Sequence, residues 1–391
     1  MKLPACLLAC LLATGLAAET AVVPAAPEDG PLIEVAILLD TSGSMQGLID
    51  QARGRIWSIV NDMTKATVDG RIPNLRIGLY EYGNTRRPGS GQVRQVLPLT
   101  DDLDDLSEKL FSLDTSGGTE KCGEVIGRAV ADLGWSEGDH YKAIFIAGNE
   151  AFTQGSVDYR ETCKAAVTAG IIVNTIHCGD EGTGRGGMWH DGAARGDGEF
   201  LNIDHNKAEV VIKAPQDEKL RELNTKFNAT YVGFGGKGKA MLRRQAAQDR
   251  NAEGASPSVA AQRMSSKVGG NYRNGAWELV DAVKDGSVKL EEVEVEDLPE
   301  EMKEMSVEER KAHVEQKQAE RDALKKEIAE LTAERETFVA AERERRAAAG
   351  EGDDFGQAVR KAMNAQLEAK GYEVPAAPAP APEKAPAPKA E

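Results

Sequence analysis

The amino-acid sequence predicts an α/β protein whose doubly wound, mostly parallel sheet precedes a helical, highly charged extension. Short apolar runs rich in branched residues occur at 33–39, 142–147 and 171–176, and each is too short to span a membrane. Such runs are typical of strands that are covered on both faces. Between them, apolar residues such as Ile56 and Val60 recur at helical spacing. This alternation predicts strands and helices wound on one sheet.

The elements of the sheet region are predicted in order from these periodicities. After the first strand comes an amphipathic helix, and a Gly/Pro/Asn-rich connection then joins two strands as a hairpin. The predicted helices cover 48–63, 103–110, 125–133 and 157–170, and a last helix begins at Pro215. After the first strand, the predicted strands cover 75–82, 92–97, 142–147, 171–178, 200–203 and 208–212.

Composition divides the whole chain into six segments. These are a signal peptide at 1–18, the sheet domain at 33–235, a helical and linker region at 236–305, a long charged helix at 306–347, a short helix at 353–371, and an Ala/Pro-rich disordered tail at 373–391. In the long helix, Leu324, Ile328, Leu331 and Phe338 fit a coiled-coil seam that Arg321 and Arg335 interrupt. A solvated rod, or a helix docked on its own domain, is therefore expected.

The N-terminus predicts an exported protein. Lys2, an apolar run at 7–12 and the small residues Ala17 and Ala18 form a secretory signal pattern. The mature chain, without a transmembrane segment, is expected in the periplasm or secreted. Cys10 leaves lipidation as an alternative, which the few apolar residues before it disfavour. The formal net charge of −16 argues against a nucleic-acid partner.

An oxygen-rich loop ends the first apolar run. Asp40, Ser42 and Ser44 alternate with other residues in Asp-Thr-Ser-Gly-Ser. On a tight loop at the carboxyl end of a strand, these side chains can turn toward one point, where open α/β sheets bind ligands. Carboxylate and hydroxyl oxygens suit Mg²⁺, Mn²⁺ or Ca²⁺, whereas Zn²⁺ would call for His and Cys. The alternative is a turn that caps the next helix.

Residues 40–45 resemble the first metal loop of von Willebrand factor type A (VWA) domains, and the likeness extends over roughly 33–235. The loop at 114–119 ends in Gly-Gly-Thr, and in that family such a loop brings a threonine hydroxyl to the metal. The resemblance implies a Rossmann-like VWA fold with a metal-ion-dependent adhesion site. The implied metal ligands are Asp40, Ser42, Ser44 and Thr119. Capping of the following helix by Thr119 or Ser116 is the alternative.

The resemblance also implies a function. In VWA domains of this kind the cation keeps an open coordination position, which an acidic side chain of a partner protein completes. We therefore expect an exported, non-enzymatic module that binds a protein ligand through Mg²⁺, or through Mn²⁺ or Ca²⁺.

The third metal loop departs from the family pattern. Where the family has Thr-Asp-Gly, this chain has Ala147-Gly148-Asn149 followed by Glu150. Asn149 or Glu150 could supply the missing oxygen, directly or through a water. Because a carboxylate brings charge as well as an oxygen, our hypothesis gives Glu150 part of the role of the missing aspartate; the alternative is that it faces solvent.

Three cysteines remain after removal of the signal. They are Cys122, Cys163 and Cys178, and an exported protein permits a disulfide between two of them. Cys122 begins a helix at the sheet edge where Cys178 ends a strand. We therefore predict a Cys122–Cys178 disulfide, provided that the Cα atoms lie within about 7 Å.

Two other functions are alternatives. An enzyme, nucleotide- or metal-dependent, would need a paired general acid and base, which the proposed site lacks. The pattern Gly182-x-Gly184-x-x-Gly187 begins four residues after Cys178 and not in the immediate turn, so it is a weak nucleotide signal. A structural envelope scaffold with a degenerate metal site is the second alternative.

Overall fold

The structure is a computed structural model that describes residues 30–86, 92–203, 212–349 and 354–375. The predicted signal peptide at 1–18 and most of the predicted tail at 373–391 lie outside the described residues, as does nearly all of the strand predicted at 208–212. Among the described residues, no helix is both long and apolar enough to cross a bilayer.

The described residues form a six-stranded sheet in the order β3-β2-β1-β4-β5-β6. Its strands are β1 (Leu32–Asp40), β2 (Asn74–Tyr82), β3 (Val93–Thr100), β4 (Tyr141–Gly148), β5 (Ile172–Cys178) and β6 (Asp197–Ile203). Only the hairpin pair β2–β3 is antiparallel, and the other neighbours are parallel. The predicted doubly wound, mostly parallel sheet is confirmed.

The order of the strands reverses beside β1. The chain builds β2 and β3 on one side of β1 and then crosses to β4 on the other side. At such a reversal the connections leave in opposite directions, which opens a crevice at the carboxyl ends of the strands. The register pairs Leu39 with Ala147 and Asp40 with Tyr82. The loops after β1 and β4 therefore lie side by side.

Helices cover both faces of the sheet. The first seven are α1 (Gln46–Met63), α2 (Leu103–Phe111), α3 (Cys122–Asp132), α4 (Tyr159–Thr168), α5 (Glu181–Gly186), α6 (Trp189–Arg195) and α7 (Asp217–Asn228). Along β1, Val35 and Leu39 belong to the core that contains Trp57 of α1. Ala36 and Leu38 belong to the opposite core, with Val125 of α3 and the helix α4. Alternate residues of one strand thus point to different helix layers.

The remaining helices belong to the C-terminal region. They are α8 (Gly238–Ala255), α9 (Pro257–Val268), α10 (Leu279–Asp285), α11 (Glu300–Lys303), α12 (Val307–Ala348) and α13 (Asp354–Ala369). The helices α12 and α13 correspond to the predicted long charged helix and to the predicted short helix.

The helix α13 completes the core of the sheet domain. Val359, Met363 and Leu367 lie in the same apolar core as Trp57. The Gln366 side chain bonds to Tyr141 on β4 and to Asn174 on β5. The sheet domain predicted at 33–235 therefore receives part of its core from residues beyond its expected end.

The chain continues past α13 along the same domain. Glu373 forms a β-bridge with Thr67, and the Tyr372 hydroxyl donates to the backbone oxygen of Leu32 at the start of β1. The first residues of the segment predicted as a tail are therefore bound to the domain.

The long helix α12 packs on α7, α9 and α10 of the same chain. The two arginines that interrupt its apolar seam are buried and form ion pairs. Arg321 contacts both oxygens of Glu278, at 2.9 and 3.0 Å, and Arg335 contacts Asp217 at 2.7 Å. These ion pairs attach α12 to other parts of the same chain and not to a partner.

We expect Arg321→Met to destabilise the protein strongly. It removes the positive partner of Glu278, and breaking a buried ion pair typically costs about 3–5 kcal/mol. Lys284→Ala is the matched control, because the Lys284–Asp322 pair is half exposed and should contribute less than about 1 kcal/mol. Urea unfolding followed by circular dichroism measures both. Equal stability of the two variants would contradict this role of Arg321.

Candidate metal centre

The first loop is shaped by Asp40, the last residue of β1. Its Oδ1 accepts the backbone N–H of Ser42 at 2.7 Å, which turns the chain back over the end of the strand. Asp40 is fully buried, Ser42 is nearly so, and Ser44 is exposed. The Ser42 and Ser44 hydroxyl oxygens are 3.5 Å apart. The Ser42 hydroxyl therefore lies close to that of Ser44 on the loop that the Asp40 carboxylate shapes, and this loop is open to solvent at Ser44.

The alternative of a helix cap does not describe this loop. The N-cap residue of α1 is Met45, and no side chain caps it. Asp40 does form a turn through its bond to Ser42, but its second oxygen is not used by that turn.

The second loop, 114–120, lies against the first. The Ser116 N–H donates to the Thr41 oxygen at 3.0 Å. A Cβ atom on Gly118 would lie 1.8 Å from the Gly83 oxygen, so only glycine allows this approach. Thr119 is exposed, and its backbone N–H donates to the Gln92 side chain at 3.2 Å. Neither Thr119 nor Ser116 caps α3, whose N-cap residue is Lys121.

Sequence reasoning missed Glu120, which follows Thr119 and is fully buried. Its Oε2 accepts the backbone N–H of Glu150 at 3.0 Å. Its carboxyl group also lies beside that of Asp40. The one signal for it in the sequence is an acidic residue directly after the Gly-Gly-Thr loop.

The third loop follows β4 and brings Asn149 to the first loop. The Asn149 Nδ2 donates to the Ser44 hydroxyl at 3.2 Å. Glu150 is exposed, and its carboxylate accepts the Gln154 amide at 3.2 Å. The Glu150 backbone oxygen accepts the Trp189 indole N–H at 2.7 Å. The structure thus brings Asn149 into the cluster and turns the carboxylate of Glu150 toward Gln154.

Three buried oxygens in this cluster accept no hydrogen bond from any described residue. They are Oδ2 of Asp40, Oε1 of Glu120 and Oδ1 of Asn149. Burial, together with the neighbouring carboxylate of Asp40, raises the pKa of Glu120 to about 10. Burial also raises the pKa of Asp40. Two adjacent buried carboxylates do not both ionise unless a positive charge joins them.

The donor set fits a hard divalent cation. Carboxylate, amide and hydroxyl oxygens are the ligands that Mg²⁺, Mn²⁺ and Ca²⁺ prefer. Within the described ranges, no group of three or more His, Cys, Asp or Glu side chains is arranged to hold a metal ion. A metal site at this edge would therefore combine the carboxylates with hydroxyl and amide oxygens.

The predicted Cys122–Cys178 disulfide is absent. Both residues, like Cys163, are buried free thiols. Cys178 belongs to the apolar core on the α1 face of the sheet, whereas Cys122 belongs to the core on the α3 face. The prediction placed both residues at the same sheet edge but did not consider which face of the sheet each side chain occupies.

The glycine pattern at 182–187 lies in the six-residue helix α5 and the turn after it. The Asp180 carboxylate accepts the N–H of Thr183 at 2.9 Å at the start of this helix. A protein carboxylate therefore already uses the position where a nucleotide phosphate would bind.

These loops and this sheet define a class of protein domain. Residues 34–185 match the model of the von Willebrand factor type A domain, so the chain contains a VWA domain. The matched range includes all three loops of the cluster. VWA domains generally mediate protein–protein interaction, and many bind a divalent cation at a metal-ion-dependent adhesion site.

Comparison with curated protein sequences gives no match. Among solved structures, the chain is similar to the conserved hypothetical protein BatB from Bacteroides thetaiotaomicron, with 20% identity over 56% of this chain and 99% of that chain (TM-score 0.34). An aerotolerance-related membrane protein from Bacteroides fragilis is 20% identical over 44% of this chain and 92% of its own (TM-score 0.31).

A third similar structure is proximal thread matrix protein 1 from the mussel byssus, with a zinc-occupied MIDAS motif. It is 13% identical over 46% of this chain and 43% of its own length (TM-score 0.36). All three TM-scores are below 0.5.

We expect Gly118→Ala to disturb the site, because the added methyl group would push the second loop away from Gly83. Overpacking of this kind typically costs about 1–3 kcal/mol. Gly117→Ala is the matched control, since a Cβ atom there meets nothing within 4 Å. Thermal unfolding should show a lower melting temperature for Gly118→Ala only. The same melting temperature for both variants would show that the close approach to Gly83 is not required.

Proposed function

We propose that the VWA domain holds Mg²⁺, or Mn²⁺ or Ca²⁺, at the carboxyl edge of its sheet and uses this cation to bind an acidic side chain of a partner protein. The observation that carries the proposal is Oδ2 of Asp40. This buried oxygen accepts no hydrogen bond from any described residue and belongs to the same loop as the hydroxyls of Ser42 and Ser44. A divalent cation would satisfy it.

In this proposal the three loops have different roles. Asp40, Ser42 and Ser44 would bind the cation from the loop after β1. Asn149 would hold the Ser44 hydroxyl in place through the hydrogen bond from its amide. Thr119, which is exposed, would lie at the rim, where a ligand acts directly or through a water, whereas the Glu150 carboxylate bonds to Gln154 and would stay outside the site. The exposed side of the loops would leave a coordination position for the partner.

The charge of the protein supports cation dependence. An acidic ligand approaching a chain of net charge −16 is repelled at long range. A bound cation provides the local positive charge that reverses this repulsion. Binding of an acidic partner should therefore require the metal.

The two alternatives are less well supported by the structure. VWA domains are typically interaction modules and not enzymes, and we propose no enzymatic activity. A scaffold that bridges envelope components through its charged helix is less well supported, because α12 is packed on α7, α9 and α10. We further propose that the partner is met outside the cytoplasm, because residues 1–18 form a secretory signal pattern.

Ser42→Ala combined with Ser44→Ala should abolish Mg²⁺ binding without unfolding the domain, since both hydroxyls lie in the loop at the proposed site and neither caps α1. Isothermal titration of the full chain with Mg²⁺ measures this. Ser112→Ala is the control, because its hydroxyl donates to the Lys109 oxygen at the end of α2. Unchanged titration of the double variant would remove the proposed site.

Acidic peptides should bind only in the presence of the cation. A panel of peptides that carry one aspartate, and the same peptides with asparagine, would be titrated with Mg²⁺ and with EDTA. We expect binding of the aspartate peptides in Mg²⁺ alone. Equal binding of the asparagine peptides, or binding that EDTA does not reverse, would rule out recognition through the metal.

A further inference from the structure

We propose that Glu120 is a second carboxylate ligand of the cation, supplied by the second loop in place of the acid that the third loop lacks. This inference rests on the proposed function of the same site. It assigns the site two buried carboxylates, Asp40 and Glu120, and leaves Glu150 outside it.

The space above the end of β4 is already filled by Glu120. A Cβ atom on Gly148 would lie 3.1 Å from Oε2 of Glu120 and 2.5 Å from the Tyr82 hydroxyl oxygen. The Tyr82 hydroxyl is held there, because it donates to the Ala147 oxygen at 2.8 Å. Residue 148 therefore has no room for a side chain, and the carboxylate of Glu120 lies where that side chain would begin.

The Glu120 side chain is held with one oxygen free. Its Oε2 accepts the Glu150 N–H, and its backbone N–H donates to the Gln154 side chain at 3.1 Å. Its Oε1 is buried and accepts no hydrogen bond from a described residue. The carboxyl group is in contact with Asp40. These bonds fix the side chain in the position that a ligand of the same cation would need.

The other buried acids of the protein differ from Asp40 and Glu120 in having basic partners. Within the described residues, the buried carboxylates other than Asp40 and Glu120 each form an ion pair with an arginine. The pairs are Glu34–Arg76, Glu81–Arg94, Asp104–Arg263, Asp217–Arg335 and Glu278–Arg321. No ion pair to a basic side chain is found for Asp40 or Glu120 in the same ranges.

Because Asp40 and Glu120 lack the basic partner that the other buried carboxylates have, we assign that role to a cation from solution. An unpaired buried charge costs several kcal/mol, and here two acids lie together without a basic side chain. Beside the two acids lie the hydroxyl oxygens of Ser42 and Ser44 and the amide oxygen of Asn149. They are suitable ligands for a hard metal ion that enters from the exposed side of the loops.

The test compares two glutamates that lie beside the same cluster. Glu120→Gln and Glu150→Gln make the same change of charge, and Mn²⁺ binding to the full chain is measured by calorimetry. We expect Glu120→Gln to weaken binding at least about tenfold, because ligand charge contributes to affinity, and Glu150→Gln to leave it within about twofold. Glu120→Asp, which keeps the charge on a shorter side chain, should be intermediate.

The outcomes separate this inference from the proposed function. If Glu120→Gln binds Mn²⁺ as the unchanged protein does, or if only Glu150→Gln loses binding, the inference is overturned while the site stands. If the unchanged protein does not bind Mn²⁺, the proposed function fails. Thermal unfolding in EDTA shows whether Glu120→Gln is folded.

A second measurement does not depend on a folded variant. Crystals of the unchanged protein soaked in Mn²⁺ would locate the ion by anomalous scattering. We expect oxygens of both Asp40 and Glu120 within about 2.0–2.6 Å of the ion. An ion bound to Asp40 and Ser42 but beyond bonding distance of Glu120 would overturn the inference.

Discussion

Pairing of buried carboxylates with positive charge is the constraint that connects the distant parts of this molecule. Glu278 and Asp217 attract Arg321 and Arg335, and these two pairs attach α12 to the body of the protein. Asp104 on α2 attracts Arg263 on α9. Each of these pairs joins helices far apart in sequence. Because leaving such a charge unpaired is far more costly than never burying it, the pairs specify where each helix docks.

At the candidate metal centre no basic side chain pairs with the buried carboxylates of the described residues. The chain brings Asp40 and Glu120 together at the reversal of the strand order and provides no arginine there. The crevice at that reversal is open to solvent through Ser44 and Thr119, so the missing charge can come from outside. The sheet topology thus places these two acids, and not the other buried acids, beside this crevice.

The parts of the structure that were predicted correctly depend on local periodicity. The apolar runs of β1, β4 and β5 and the Asp-x-Ser-x-Ser spacing are short-range patterns, and they were sufficient for the sheet and the first loop. The orientation of residues where a loop enters a helix is not such a pattern. Thr119 is exposed, whereas Glu120, two residues before α3, is buried. The sequence predicts a ligand at Thr119 but does not show that the side chain of the next residue turns inward.

Long-range packing accounts for the other differences between the sequence-based predictions and the structure. The sequence shows Arg321 and Arg335 as interruptions of an apolar seam, and only their partners Glu278 and Asp217 reveal them as attachment points. Cys122 and Cys178 were matched by their place along the sheet edge, but the sheet itself separates their side chains. Both the arginine pairs and the cysteine positions depend on which surfaces of the protein meet. The periodicity of a single segment does not show this.

The position of α13 also affects how the chain can fold during synthesis. Tyr372 bonds to Leu32 across 340 positions, and Val359 and Leu367 fill the core beside Trp57. Domains usually fold in order from the N-terminus as the ribosome releases them. Here the core around Trp57 is not complete until α13 has also been made. Contacts between residues so far apart in sequence form slowly, and part of this core stays exposed until they form, which favours aggregation of the nascent chain.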